Sequence, residues 1–544
     1  MRASYKYIYC LFLLCLASCE KGFLDPTNPS SITSEEVWED PNLIEMYVNG
    51  LYNDRPGWDY NTFDNITDEA RSNYPGNTPN QILVGQWDEV NNPLGFWVYD
   101  RVRRANEFMA KIDETTIDEN VKKRLKGEAR FLRAFLYFDM VKRYGGVPII
   151  EVPQDLDDDL QVSRNSLDEC FAFIERELDL AIDELPEDAP RGKASKGSAM
   201  ALKGRVMLYY ASPLYNEGND NERWRKAAEA NKALIDLNKY ALYPDLTTLW
   251  LDQGAEHPES IFEVQYRLPE KYHGWDALVK PLVIANNDAG QRSPLQELVD
   301  AFPMKNGKSI SDPGSNYDPN NPYVGRDDRF YAFIGYNGAK MKGTTSGPPV
   351  KEITLEIYKG GRDYDADPDT KIYNTITGYY TLKAVDPDNA IYTGGYSSVQ
   401  PYIELRYAEV LLNYAEAQNE YLSSPDASVY EAVNQVRQRA GITEELTNLN
   451  KEEMREVIRN ERYIEFAFEH KRYWDIRRWE LATTLLDGKR YTGVFATKEP
   501  NGSFTYEYLP IDPQPNVFTE RMYWMPIPQS EIAKNGNLTQ NPGW

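Results

Sequence analysis

From Asn120 to Tyr144 the apolar residues Leu125, Ala129, Leu132, Leu136 and Met140 recur four, three, four and four positions apart, which paints one face of an α-helix. Gly145-Gly146 and then Pro148 follow, a combination that ends a helix. The period returns from Ser166 to Leu185, through Leu167, Cys170, Phe171, Ile174, Leu178 and Ala181, and stops at Pro186. Two further runs pair off: Ser195–Tyr215, with Ala201, Gly204, Leu208 and Ala211, and Arg223–Asn238, with Ala227, Ala230 and Leu234. The design recurs in Glu404–Leu422 (Leu405, Ala408, Leu412, Ala415) and Ser428–Ala440 (Ala432, Val433, Val436). Small residues at contact positions let paired helices pack closely, so the expected fold is mainly α, built of degenerate tetratricopeptide-like repeats. Unrelated helices of one globule are the alternative, since no strict 34-residue period is visible.

Between the pairs, over about residues 251–400, the texture changes. Short β-like runs such as Ile261–Gln265 and Tyr379–Leu382 alternate with turn-rich tracts, SDPGSNYDPNNPYVGRD, KGGRDYDADPDTK and VDPDNAIYTGGYSS. A loop-rich insertion with short β-strands, carried on a helical frame, is the expectation, and loops on a rigid scaffold are where binding groups collect.

The N-terminus has Arg2 and Lys6, then an uncharged run from Tyr7 to Ser18, which reads as a secretory signal over residues 1–18. That run is too short to span a bilayer, which takes about 20 residues. Leu16-Ala17-Ser18-Cys19 resembles a bacterial lipobox, and the resemblance implies that Cys19 becomes the acylated first residue of the mature chain. Ordinary cleavage near Ser18 is the competing reading. With Cys10 and Cys15 removed and Cys19 modified, only Cys170 remains, so no internal disulfide is expected and a large core must stabilise the body. Cys170, in a helical run, is expected to be a small core residue. The mature chain keeps 58 basic against 85 acidic residues, a balance of −27. Such a surface repels phosphate backbones and bare anionic membrane, leaving neutral ligands and a lipid anchor.

Segments in fixed order then resemble the SusD/RagB family of Bacteroidetes lipoproteins: Gly22-Phe23-Leu24-Asp25, Asp68-Glu69-Ala70, YDRVRRAN (99–106), GEARFLRAFLYFDMVKRYGGVPI (127–149), VDAFPMKNGKSI (299–310) and RDDRF (326–330). LRYAEVLLNYAEAQNE (405–420), VNQVRQRAG (433–441), RNERYIEFAFEHKRYWDIRRW (459–479) and the closing MPIPQSEI and QNPGW complete the set. The resemblance implies one domain over 19–544, with its frame at about 25–250 and 401–544. It implies a glycan-binding lipoprotein on the outer membrane, seated as a lid on a SusC-like TonB-dependent transporter. The same scaffold would also serve a peptide or glycopeptide binder.

The segment 459–479 crowds Glu461, Arg462, Glu465, Glu469, His470, Asp475 and Arg477 together. At helical spacing these charges are expected to interact locally, Glu465 with Arg462 or Glu469, while Tyr463, Phe466, Phe468 and Trp474 supply core. Arg101, Arg103 and Arg104 are expected on a solvated or repeat-packing face, and Trp97 in the core. Catalytic supply is thin. There are three histidines, His257, His273 and His470, with no HExxH and no GxSxG. Gly307-Lys308-Ser309 has the tail of a phosphate loop but Phe302 in place of its first glycine. Paired carboxylates remain open to 85 acidic residues, but nothing selects a pair. No enzyme activity, cofactor or metal is expected.

A pyranose presents C–H faces and a belt of hydroxyls, so its site needs flat aromatic faces edged by donors and acceptors. Two tracts have that makeup, residues 57–90 with Trp58, Tyr60, Tyr74 and Trp87, and residues 265–290 with Tyr266, Tyr272, His273 and Trp275. The expected platform joins Trp275 and Tyr272 to Trp87 and Tyr74, with Asp68, Arg71 and Asn287 binding hydroxyls at its edge.

Overall fold

The computed structural model describes residues 34–54, 57–58, 63–74, 78–155, 157–281, 284, 290–343, 351–364, 374–389 and 397–544. Cys19 and the signal lie outside the described residues. Among the described residues ten helices build the frame: α1 (Pro41–Leu51), α2 (Tyr99–Lys111), α3 (Glu119–Tyr144), α4 (Leu167–Glu184), α5 (Lys196–Ala211), α6 (Asn221–Ile235), α7 (Tyr407–Tyr421), α8 (Ala427–Arg439), α9 (Lys451–Glu465) and α10 (Arg472–Arg478). Each of α3 to α8 packs on its successor in sequence, and the α5/α6 pair is stacked on α7/α8 through α6 against α7. The fold is mainly helical, with small two-stranded sheets.

Helix α3 starts where the Asp118 carboxylate accepts the Asn120 and Val121 amides and ends at Gly145, whose φ of 75° suits glycine. The expected stripe is buried, but so are Phe131, Ala134, Phe135, Tyr137, Phe138 and Val141. The helix is central rather than amphipathic, because α1 and α2 cover it as well as α4 and α5. Helix α4 opens with a capping box between Ser166 and Glu169. The α5 helix ends at Ala211 rather than Tyr215, since Ser212-Pro213 turns the chain into a 3₁₀ turn. Gly204 lies against Asn231, which donates to the Gly204 carbonyl at 3.1 Å and to the Ala227 carbonyl at 2.8 Å. A side chain at residue 204 would collide with that amide. Cys170 is fully buried, and burial pushes its thiol up to about 11.

The chain leaves the frame and returns at one place. Strand β1 (Ser260–Val264) pairs antiparallel with β2 (Tyr402–Arg406), so residues 404–406, expected to open α7, end a strand instead. The intervening residues gather around a second apolar core that includes Trp250, Trp275, Phe302, Phe330, Phe333 and Tyr379. A hairpin of β3 (Thr492–Lys498) and β4 (Phe504–Pro510) lies beside that core, contributing Val494 and Tyr506.

The two cores are joined by charge. Arg406, at the end of β2, donates to Glu469 at 2.8 and 2.7 Å, to Glu259 at 2.7 Å and to Glu465 at 2.7 Å. Arg439 reaches Glu259 at 3.0 Å and Glu465 at 2.5 Å. Arg329 binds Asp327 at 2.8 Å and Glu461 at 2.7 Å, Arg437 binds Glu461 at 2.8 Å, and Lys383 binds Glu469 at 2.5 Å. Five cations thus face five carboxylates, each with its side chain at most 6% exposed. Burial alone would raise the Glu465 carboxyl, yet Arg439, Arg406 and Arg329 outweigh it and hold the group well below the usual carboxylate range. Glu465 therefore pairs across the fold, not with Arg462 or Glu469 as local spacing suggests. Arg462 instead forks onto Asp475 at 2.9 and 3.0 Å. The inward course of 459–479, with α9 turning into α10, moves these charges off the helix surface where local pairing operates.

Removing one partner from such a cluster leaves uncompensated buried charge. Arg406→Ala is expected to lower the stability of the folded body by about 3–5 kcal/mol, read as a reduced urea midpoint.

Candidate glycan-binding site

The two aromatic tracts meet. Ala70 pairs with Pro294 and Arg71 with Ser293 in a short antiparallel ladder, the Leu295 amide donates to the Glu69 carbonyl at 2.9 Å, and the Asn65 side chain donates to the Gln291 carbonyl at 3.0 Å. Trp58 and Trp275 pack with ring centres 4.2 Å apart, and the Trp58 indole donates to the Gln400 carbonyl at 3.1 Å.

The expected platform does not form from those rings. Trp275 is 1% exposed; its indole donates to the Lys383 carbonyl at 3.0 Å, and the Arg292 guanidinium lies over the ring at 4.6 Å. Trp87 is buried elsewhere, 4.8 Å from Trp544. Asp68 is held in a fork by Arg472 at 2.9 and 2.7 Å, and Arg71 binds Asp512 at 2.8 and 3.2 Å as well as the Thr67 and Ala70 carbonyls. These four side chains fill and tie the interior: Trp275 completes the second core, Trp87 belongs to the main core, and Asp68 and Arg71 are held in buried ion pairs. Asn287 and Tyr60 lie outside the described residues. Tyr74 and Tyr272 do face solvent, at 45% and 49% exposure. Trp97 is partly buried against the main core, as expected.

Tyr272 stands on a rigid hairpin. Arg267 and Lys271 exchange backbone hydrogen bonds of 2.7 and 2.8 Å, and His273 exchanges a pair with Ser398 at 3.0 and 3.1 Å. Next to it the Asp276 carboxylate accepts from Ser398 at 2.8 Å, Asn389 at 2.8 Å, Gln400 at 2.9 Å and the Asp386 amide at 2.8 Å. His273 accepts the Trp275 amide at Nδ1 (3.2 Å), which leaves Nε2–H to donate to the Gln400 carbonyl (3.1 Å). Burial pushes its pKa down to about 4, so the ring is neutral at physiological pH and both nitrogens are engaged.

Beneath the junction lies a polar floor that the sequence reading passed over, although the run FDNITDEARSN (63–73) sets it out. Asp64 accepts the His470 amide at 3.0 Å, and its carboxylate lies 3.2 Å from His470 Nδ1. Against the upward push of burial, His470 and Arg292 hold Asp64 low. Glu69 is fully buried, its Oε1 without a hydrogen-bond partner among the described residues, and burial, reinforced by Asp64 and Asp68, drives its carboxyl well above the usual range. Asn73 donates to the Asn374 carbonyl at 2.6 Å, and Gly290, at a φ of 58°, lies against the same carbonyl. Residues 74, 290 and 374 flank chain stretches outside the described residues, and the floor gathers these flanks together. Among the described residues no three His, Cys, Asp or Glu side chains are grouped to hold a metal ion.

The SusD family model matches residues 258–544, more than half of the sequence. The chain belongs to the SusD family. A second SusD-like family model, described as starch-binding and associating with the outer membrane, matches residues 22–208. SusD-like protein P2 of Formosa agariphila is 27% identical over 496 residues, covering 85% of each chain. A SusD-like protein of Bacteroides fragilis superposes with a TM-score of 0.80 at 30% identity, over 94% of this chain and 99% of the other. A second B. fragilis structure, named a SusD-like carbohydrate-binding protein, gives 0.75 at 25% identity, over 92% and 100%. Among the described residues no helix is long and apolar enough to cross a membrane.

Two outcomes test this assignment of roles. Trp275→Ala is expected to cost about 3–5 kcal/mol of folding stability, the range for truncating a buried tryptophan, against less than about 0.5 kcal/mol for the exposed Tyr272→Ala; chemical denaturation separates them. Glu69 titrates above its unfolded value, so the unfolded chain releases its proton first as pH rises from about 4.3 and native stability falls through that window. Glu69→Gln, which does not titrate, should therefore gain on the parent between pH 5 and pH 8 in paired urea melts.

Proposed function

We propose that the protein binds a neutral glycan at the rim formed by Tyr272 and Tyr74 and holds it without cleavage. The observation that carries this reading is Tyr272, half exposed on a hairpin locked by the Asp276 network, so that a flat ring is presented at little entropic cost. The carbohydrate-binding name of the B. fragilis relative and the starch-binding description of the matched N-terminal family support the ligand class. The side chains at the junction support holding without cleavage: His273 is neutral and doubly bonded, Asp68 is paired with Arg472, and Glu69 is sealed in the floor. None of the three offers an accessible acid or base. Lipidation at Cys19 would keep the body at the outer membrane, and a SusC-like TonB-dependent transporter would receive the glycan; Asn287 would add a hydroxyl contact.

Tyr272→Ala is expected to weaken binding of a recognised oligosaccharide by about 2 kcal/mol with an unchanged melting temperature. Calorimetry against maltooligosaccharides and laminarioligosaccharides reads the first quantity. Unchanged affinity removes Tyr272 from the site, and thermal shifts with peptides alone would replace the glycan reading by a peptide-binding one.

A further inference from the structure

A second aromatic surface is built on the hairpin of β3 and β4 where it packs on the loop-rich core. Tyr506 and Tyr508 are two residues apart on β4 and so share one face of the hairpin. Tyr506 meets Tyr323 edge to face at 5.6 Å, and Tyr323 packs 4.6 Å from Tyr336, which lies 6.2 Å from Tyr331. The Tyr331 hydroxyl donates to the Tyr323 carbonyl at 2.8 Å, which fixes the ring while 38% of the residue stays exposed. Tyr508 is 41% exposed, and Tyr317 interacts with it through its hydroxyl. The Asp300 carboxylate accepts from Gln296 at 2.7 Å and lies near enough to Tyr317 and Tyr508 to interact electrostatically with both. Rings that only completed a core would be better served by phenylalanine, since each half-buried phenol must be partly desolvated. Ring faces with hydroxyls at their edges and one carboxylate acceptor match the amphipathic surface of a sugar.

This surface is tied to the first by one short helix, Gln296–Ala301. Just before it, Ser293 and Pro294 pair with Arg71 and Ala70 at the polar floor. Within it, Gln296 accepts the Tyr379 hydroxyl at 2.7 Å, and Glu297 accepts the Thr492 hydroxyl at 2.8 Å and its amide at 3.1 Å, which fastens the hairpin. Asp300 comes from the last turn of the same helix.

We propose that the tyrosine surface of Tyr317, Tyr331, Tyr336, Tyr506 and Tyr508, edged by Asp300, is a second contact for a neutral polysaccharide chain, held at a fixed distance from the Tyr272 rim. The proposal rests on the glycan reading above. A chain long enough to engage both surfaces gains affinity through effective concentration, whereas a trisaccharide engages one at a time.

Affinity electrophoresis and calorimetry of the full body with amylose and laminarin, using maltotriose and laminaritriose as short controls, test it. The Tyr506→Ala/Tyr508→Ala variant is expected to lose about 10-fold in affinity for the polymer that binds, and to keep the parent's affinity for the matching trisaccharide at the first rim. Exposed Tyr508→Ala alone, which spares the contact with Tyr323, should show a smaller loss in the same direction. Hydrogen exchange should show polymer-dependent protection of residues 504–510. Polymer affinity unchanged in both variants, with no protection, overturns the second contact while the Tyr272 rim stands. If neither polymer nor trisaccharide binds the parent, both readings fall together.

Discussion

The structure depends on burying ten opposed charges where its two cores meet. Arg406 is the centre of that cluster: its guanidinium engages Glu469, Glu259 and Glu465 at once. Desolvating these groups is costly, and the cost is offset by the forked pairs they form, with only Nε of Arg437 and of Arg439 making no hydrogen bond among the described residues of the cluster. Hydrophobic surfaces could have joined the same elements, but apolar contacts tolerate sliding, whereas forked ion pairs fix register. Strand β2, the end of α9, Arg437 and Arg439 of α8, Arg329 and Lys383 are thereby set in one arrangement, and the loop-rich region inherits its position from it.

That fixed position gives meaning to the small side chains and short ladders farther out. Two-residue pairing between Ala70-Arg71 and Ser293-Pro294 would be negligible alone. Here it is backed by Arg71 on Asp512, Asp68 on Arg472 and the Trp58–Trp275 contact. Residues that look like ligand-binding chemistry in the sequence serve as the foundation, and the rings left exposed among the described residues of the same two tracts are Tyr272 and Tyr74.

The helical frame was legible because its signals are local. Period, caps and stops around α3, α4 and α8 can be read within each helix, and the Gly204 contact follows from the pattern of small residues. The errors arose where long-range packing decides. Glu465 has suitable neighbours three and four residues away, yet its partners Arg406 and Arg439 lie 59 and 26 residues away in sequence. Trp275 sits among polar turn residues, which reads as an exposed loop, and only the second core reveals where the ring goes. Tyr506 and Tyr508 alternate along β4, a two-residue period that marks a strand but does not show which face stays open.

Cys170 has a consequence for where such a body can work. It is the one cysteine among the described residues, it is unpaired, and it sits under Val147 with its thiol held protonated. Cohesion then rests on ion pairs and apolar packing that involve no electron transfer. Among the described residues no bond of the fold is made or broken by oxidation or reduction, so this part of the body should hold together equally well in oxidising and in reducing surroundings.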